Sequence, residues 1–183
     1  MSRHIALAAA LLAAAFAAGC QSSQKAATTV ESAAQAQTTP SLSTTDATFI
    51  NTVGGGGIAE VKFGQLAQSR ATRGDIRQFA AQMVTDHSAA NQELTTLAQG
   101  KKMTPPTDMD LTHRRLYDKL SAMTGTAFDQ TYMESQVQDH TAVVAAFQNE
   151  ISNGSDPDIK AFAQKHLPTI QHHLDMARTI AAQ

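Results

Sequence analysis

From Asp46 to the C-terminus, apolar residues recur every three or four positions, and no segment of useful length alternates apolar and polar residues as a strand does. This spacing predicts an all-α domain. Four long helices are expected near residues 46–71, 75–99, 127–153 and 157–182, and a short helix is expected near residues 111–123. Glycines and prolines stand at the predicted helix ends, where they favour stopping or starting a helix.

Two features of these helices leave local geometry open. Four consecutive glycines, Gly54 to Gly57, interrupt the first helix, and each costs about 1 kcal/mol relative to alanine inside a helix. The run marks either a break or a place where another backbone approaches closely, and we favour a continuous helix. Thr45 or Asp46 is expected to cap the first helix, Gly74-Asp75 to cap the second, and Pro168 to kink the last.

The connector between the second and third long helices occupies residues 101–126, whereas the loops within each helix pair are short. An up-down-up-down bundle needs only a short middle loop, so the long connector favours a bundle with a crossover. The predicted fold class is therefore an all-α, ferritin-like four-helix bundle with a long crossover connector, spanning residues 46–183.

The N-terminal residues have the pattern of a secretory signal. Arg3 precedes an apolar run at residues 5–18, which as a helix would span about 21 Å and fall short of a bilayer of about 30 Å. The segment Ala17-Ala18-Gly19-Cys20 resembles the lipobox of bacterial lipoproteins, in which the cysteine is diacylated and becomes the mature N-terminus. We predict a lipoprotein signal peptide at residues 1–19 and lipidation at Cys20, with ordinary cleavage nearby as the alternative.

Residues 20–45 are small and polar and include no aromatic side chain, so they bury too little apolar surface to fold. We predict a disordered tether. Gln21 follows Cys20 where inner-membrane lipoproteins of Gram-negative cells typically carry Asp, so the lipobox resemblance points to the outer membrane. The expected location is the cell envelope, on the periplasmic side of the outer membrane. The membrane itself is the expected partner, through the lipid anchor at Cys20.

Composition and motifs exclude several classes of function. The chain has 14 Lys and Arg against 16 Asp and Glu, a formal charge of -2, so nucleic acid binding is not expected. Its single cysteine excludes an internal disulfide framework, a Cys-based zinc ribbon and an iron-sulfur site. There is no G-x-S-x-G motif and no phosphate-binding loop. No catalytic residue is predicted, and the sequence does not identify an enzyme.

Each long helix carries an ionisable residue on its apolar face: Glu60, His87, His140, and His166 with His173. A buried ionisable group needs a partner, a water or a metal, because burying it unpaired is costly. At about 1.5 Å per residue from the predicted loops, Glu60, His87, His140 and His173 all fall near the middle of the bundle. They are therefore expected to meet.

One carboxylate and three imidazoles at one level predict a site for a single divalent transition metal: zinc, copper or iron. The alternative is a hydrogen-bonded polar layer in which neutral histidines donate to Glu60 or to Asn91, one turn beyond His87. A di-iron site is disfavoured because it needs a glutamate three residues before two of the histidines, and Val84 and Ile170 stand there.

Several residues are assigned to the surroundings of this site, Asn91 and His166 among them. Asp86 and Asp139 each precede a histidine by one residue, about 100° around the helix, where each could orient a histidine of a neighbouring helix. The competing interpretation is a solvated or capping carboxylate. His113, in the connector, and His172 are expected at the surface.

Four segments resemble a known family: GGGIAEVKFGQLA, DIRQFAAQMVTDHSAANQEL, FDQTYMESQVQDHTAVVAAF and DIKAFAQKHLPTIQHHLDMA. They are similar to a bacterial secreted domain of unknown function whose members are often labelled as outer membrane proteins. The resemblance covers about residues 46–182 and includes the ordered features Asp-His-Ser-x-x-Asn and Leu-Pro-x-x-x-x-His. It implies a ferritin-like bundle, an envelope location and no established activity. The matched positions are Glu60, Asp86, His87, Asn91, His140, Pro168 and His173.

The leading hypothesis is an envelope lipoprotein whose helical bundle binds one transition-metal ion. The alternative is a non-catalytic structural, interaction or stress-protective module whose polar core holds no metal. Loss of a bound metal in a double His87→Ala, His140→Ala variant would favour the first, and destabilisation without any metal would favour the second.

Overall fold

The computed structural model describes residues 42–183, so the predicted signal peptide, Cys20 and most of the predicted tether lie outside the described residues. Within residues 42–183 there are helices and no strand, and the all-α prediction is confirmed. The helices are α1 (Thr44–Arg70), α2 (Gly74–Gly100), α3 (Leu111–Ser121), α4 (Gly125–Asn153) and α5 (Pro157–Ala181). None of them has the length and apolar character that crossing a bilayer requires.

Hydrogen bonds between loops and helix starts fix the direction of each helix. The N–H of Thr72, between α1 and α2, donates to Asp129 near the start of α4. At the opposite end, the N–H groups of Ser155 and Asp156, between α4 and α5, donate to Asp46 near the start of α1. The connector must therefore run the length of the bundle from the end of α2 to the start of α4. This is the crossover topology of ferritin-like bundles, as predicted.

Around the bundle the long helices stand in the order α1, α2, α5, α4, and α3 packs against α1 and α4. The apolar core forms two clusters. One contains Phe63, Phe79, Met83, Phe128, Tyr132 and Ala177, and the other contains Phe49, Ile50, Leu94, Phe147, Phe162 and Ile170. On α2, α4 and α5 a buried histidine lies in the sequence interval between the two clusters.

Two of the predicted helix caps are wrong. Ser43 caps α1, because its hydroxyl accepts a hydrogen bond from the N–H of Asp46 while the Asp46 carboxylate accepts one from the N–H of Ser43. Asp46 thus serves as the third residue of the helix, and the predicted tether extends too far, since α1 begins at Thr44. At α2 the cap position is Arg73, which makes no capping side-chain hydrogen bond.

The glycine run lies inside α1, which is continuous as favoured above. A Cβ atom added at Gly57 would lie 2.1 Å from Oδ1 of Asn91, and one at Gly54 would lie 3.1 Å from Cδ of Pro106. The missing side chains therefore let α2 and the connector approach α1 closely. Part of the cost of four helical glycines is offset by this packing at the middle of the bundle.

Candidate metal centre

Three buried histidines from three helices face one another. His87 on α2, His140 on α4 and His173 on α5 are 7%, 2% and 1% exposed. Their ring centroids are 5.6 Å apart for His87 and His140, 5.4 Å for His87 and His173, and 5.5 Å for His140 and His173. When one ring nitrogen is taken from each histidine, the three nitrogen atoms lie within 4.8 Å of one another. The structure thus brings together three of the four residues that the sequence placed at one level.

In a neutral imidazole, a hydrogen bond donated by one ring nitrogen leaves the other nitrogen as an acceptor. Nδ1 of His140 lies 3.0 Å from the carbonyl oxygen of Gln136, and Nε2 of His173 lies 2.8 Å from Oδ2 of Asp86. Both nitrogens donate, because a carbonyl and a carboxylate can only accept. In the neutral rings, Nε2 of His140 and Nδ1 of His173 therefore carry lone pairs. These two atoms and Nε2 of His87 are buried and have no hydrogen-bond partner among residues 42–183.

The three imidazoles are uncharged at neutral pH. Burial lowers the pKa of His87 well below its usual value, and the neighbouring His140 and His173 lower it further. Burial lowers the pKa of His140 to about 4. Burial also lowers the pKa of His173, although the hydrogen bond to Asp86 opposes this shift. Neutral imidazole is the form that ligates a metal, so no proton has to leave these rings before binding.

Glu60 lies on α1 beside the histidine triangle and is not one of its three members. Its Oε2 accepts a hydrogen bond of 2.8 Å from Nε2 of Gln136, and its Oε1 lies 4.0 Å from Nδ1 of His140. Burial raises the pKa of Glu60 to about 8, against the lowering effect of the Gln136 hydrogen bond. Sequence reasoning missed Gln136, whose only signal was its position one turn before His140.

Asp86 orients a histidine of a neighbouring helix. It is partly exposed, and its Oδ2 accepts hydrogen bonds from His173 and from Nε2 of Gln82. Of the two interpretations left open above, the orienting carboxylate is the one that the structure contains. A carboxylate that accepts from a ligating imidazole fixes the ring and makes it a stronger donor to a metal.

The other predicted surrounding residues have different contacts. Nε2 of His166 lies 3.0 Å from Oε2 of Glu93, although His166 is near enough to His87 to lower its pKa. Asn91 packs against Gly57 and accepts no hydrogen bond from a histidine among the described residues. Oδ2 of Asp139 is buried without a partner, and burial raises the pKa of this carboxyl.

The expectation that His113 lies at the surface is wrong, whereas His172 is exposed as expected. The side chain of His113 is 20% exposed, its Nδ1 lies 2.6 Å from Oδ2 of Asp110, and its ring packs near Phe63. The cause is tertiary, because α3 lies against the bundle and carries His113 inward. Nε2 of His113 comes within 4.0 Å of Oδ2 of Asp139.

A small cavity of about 30 Å³ adjoins this centre. His87 and His140 form part of its wall, together with polar residues from all five helices and apolar residues from α1, α2, α4 and α5. The polar wall consists of Glu60, Asn91, His113, Asp139 and His166. The cavity places open space directly beside two of the three histidines.

No curated protein matches the chain. Among solved structures, the fold is similar to the crystal structure of a DUF305 fragment from Deinococcus radiodurans, with a TM-score of 0.68 and 10% sequence identity over 78% of this chain and 99% of that chain. At this identity the likeness shows the fold alone. The family model of a domain of unknown function, DUF4142, matches residues 13–180. This confirms the predicted resemblance to a family of unknown function, and the chain belongs to the DUF4142 family.

Proposed function

We propose that this domain binds one divalent transition-metal ion through His87, His140 and His173. The observation that carries the proposal is the buried triangle of three imidazoles, each with one nitrogen that has no partner in the described part of the chain. A buried nitrogen without a partner is costly, and a metal ion would satisfy all three at once. The residues come from three helices, so binding would also tie those helices together.

The donor set fits the chemistry of such ions. Neutral imidazole suits zinc, copper and iron, and three protein ligands with a fourth position left over are typical of zinc sites that bind a further ligand. Zn–N bonds of about 2.0–2.1 Å in a tetrahedral site hold the nitrogens about 3.4 Å apart. The nitrogens lie within 4.8 Å of one another, so binding would draw them closer together.

A purely structural polar layer explains the arrangement less well. That alternative expected the histidines to donate to Glu60 or Asn91, whereas the donations of His140 and His173 go to a backbone carbonyl and to Asp86. These bonds leave Nε2 of His140 and Nδ1 of His173 with no hydrogen-bond partner among the described residues, in rings whose centroids lie 5.5 Å apart. Neutral histidines with no partner stabilise the core less than apolar residues of the same size would.

Elemental analysis of the full chain purified from its own cells tests the proposal. We expect one zinc, copper or iron ion per chain, and a rise in melting temperature when the metal-free protein receives that metal. The double variant His87→Ala, His140→Ala should lose both effects, and His172→Ala, an exposed neighbour of His173, should keep both. Absence of stoichiometric metal together with no melting shift for zinc, copper or iron would contradict the proposal and favour the structural alternative.

We further propose that the chain is an envelope lipoprotein anchored to the outer membrane through Cys20. The apolar run at residues 5–18 and the lipobox-like segment that ends at Cys20 support this location. Mass spectrometry of the mature N-terminus in native cells should find a diacylated Cys20, and Cys20→Ser should release the protein from the membrane fraction. An unmodified mature N-terminus at any other residue would contradict the lipid anchor.

A further inference from the structure

The cavity beside the histidine triangle has a size and a wall that point to a ligand. Its volume of about 30 Å³ exceeds the roughly 10–15 Å³ that one water molecule requires. Its wall includes His87 and His140, whose Nε2 atoms are buried and have no hydrogen-bond partner within residues 42–183. Asp139, whose buried Oδ2 also has no partner, lines the same space. Open volume and unsatisfied polar atoms therefore coincide at one place.

We infer that this cavity is the binding site of a small inorganic ligand of two or three heavy atoms, which would occupy the fourth coordination position of the metal. The inference rests on the proposed function, since the ligand is held by the ion. Three histidine ligands leave a tetrahedral ion with one open position. Because His87 and His140 line the cavity, an ion between them has the cavity as its neighbouring open space.

The walls limit how large the ligand is. Phe147, Phe162 and Ile170 close the cavity on the apolar side, and each is at most 5% exposed. On the opposite side His113 reaches in from α3 and packs over Gly56, whose Cβ would lie 4.0 Å from the His113 ring. A five-membered ring is therefore too large for the space, whereas azide, with three atoms in line, fits with one end on the metal.

The side-chain amide of Asn91 could donate a hydrogen bond to the free end of the ligand. Asn91 has an amide side chain in the wall, and its Oδ1 lies against Gly57 where no side chain intervenes. Asn91 on α2, Asp139 on α4 and Glu60 on α1 all line the cavity. This mixture of an apolar end and hydrogen-bonding groups is typical of specific small-molecule sites.

Binding of the small ligand can be measured with cobalt(II), which occupies zinc sites and has a visible absorption spectrum. The full chain is loaded with one equivalent of cobalt, and the visible spectrum is followed during titration with azide and, separately, with imidazole. We expect azide to change the spectrum in a saturable way and imidazole at the same concentrations to leave it unchanged. Equal responses to the two would show a site open to bulk solvent and would overturn the inference.

A pair of neighbouring valines supplies the matched variants. Val143 lines the cavity, whereas Val144 is similarly half-buried against the same apolar cluster but does not line it. Val143→Ile adds one methylene, which is close to the volume of a water molecule. It should weaken azide binding at least tenfold without changing cobalt stoichiometry, and Val144→Ile should leave azide affinity within twofold of the natural chain.

The possible failures are distinguishable. A chain that binds cobalt but whose spectrum ignores azide would overturn this inference and leave the metal proposal standing. Equal azide affinities in the two valine variants would overturn the assignment to this cavity. A chain that binds no cobalt, zinc, copper or iron would overturn the proposed function and this inference with it.

Discussion

Two buried carboxylates at the ends of the bundle, Asp46 and Asp129, each accept several hydrogen bonds, whereas the buried imidazoles at its middle do not have all their hydrogen bonds made. Asp46, fully buried at one end, accepts from the N–H and the hydroxyl of Ser43 and from the N–H groups of Ser155 and Asp156. At the middle, each of three buried histidines keeps one nitrogen that no other described residue hydrogen-bonds. The first arrangement holds the start of α1 to the loop between α4 and α5, and the second leaves the nitrogens that the proposed metal ion would bind.

Two buried carboxyls show the same contrast in their proton affinity. Burial alone would raise the pKa of Asp46, but the hydrogen bonds that it accepts lower the pKa below its usual value. Glu60 accepts one hydrogen bond, from Gln136, and burial raises its pKa to about 8. Both the number of donors and the depth of burial decide which carboxyl is ionised. Asp46 therefore acts as a structural anion, whereas Glu60 stays neutral in the metal-free protein.

The largest expected effect concerns acid stability of the metal-free chain. The pKa of His140 is about 4 in the folded state against an ordinary 6.5, so the folded state binds fewer protons between these values. The stability that the neutral ring contributes is complete above pH 6.5 and is lost as pH falls to 4, by about 3 kcal/mol. His87 and His173 have lowered pKa values and act in the same direction.

The comparison of the natural chain with His140→Gln isolates this effect. Glu60 and Glu150, whose pKa values are raised to about 8 and about 7 chiefly by burial, act in the opposite direction, because their stabilising protons are lost as pH rises. They titrate in both proteins and largely cancel in the difference. Urea unfolding with a chelator at pH 4 to 7 should show a difference that changes by about 3 kcal/mol. Parallel curves would refute the claim that this ring is held neutral.

The next effect is at the end of the bundle. Asp46→Ala removes the acceptor for Ser43 and for two loop N–H groups, and we expect a loss of about 2–3 kcal/mol in the free energy of unfolding at pH 7. Metal stoichiometry should stay the same, because the two sites are separate. Asp175→Ala, at an exposed position of α5, is the control and should change stability by less than about 0.5 kcal/mol. A loss of metal in Asp46→Ala would break the distinction between end and middle.

The sequence predicted features that depend on residues close together in the chain, and it did not predict those that depend on contacts between helices. Helical periodicity and a fixed rise per residue are local, so counting from the loops placed His87, His140 and His173 at one level. Which nitrogen is free, and which carboxylate holds a ring, depends on how α2 is rotated against α5. The position of Asp86 one residue before His87 could not settle that rotation, because its partner is His173.

The remaining misses have similar causes. Gln136 has no charge, so its bond to Glu60 gave no signal in a search for ionisable residues. His113 is in the connector, and only the packing of α3 against α1 and α4 shows that it faces inward. The sequence favours Asp46 as the cap because aspartate is common at that position. The structure instead has Ser43 as the cap, and the helix therefore begins at Thr44.

The smallest expected effect tests the hydrogen bond between the partly exposed Asp86 and the buried His173. Asp86→Asn keeps the shape of the side chain but removes the charge that strengthens and orients the His173 ring. We expect metal affinity to fall by 10- to 100-fold, about 1.4–2.7 kcal/mol, with one ion still bound per chain at saturation. Asp175→Asn, exposed on α5, should leave the affinity unchanged. A competition titration against a chelator of known affinity measures both, and an affinity for Asp86→Asn within twofold of the natural chain would mean that Asp86 binds His173 without serving the metal.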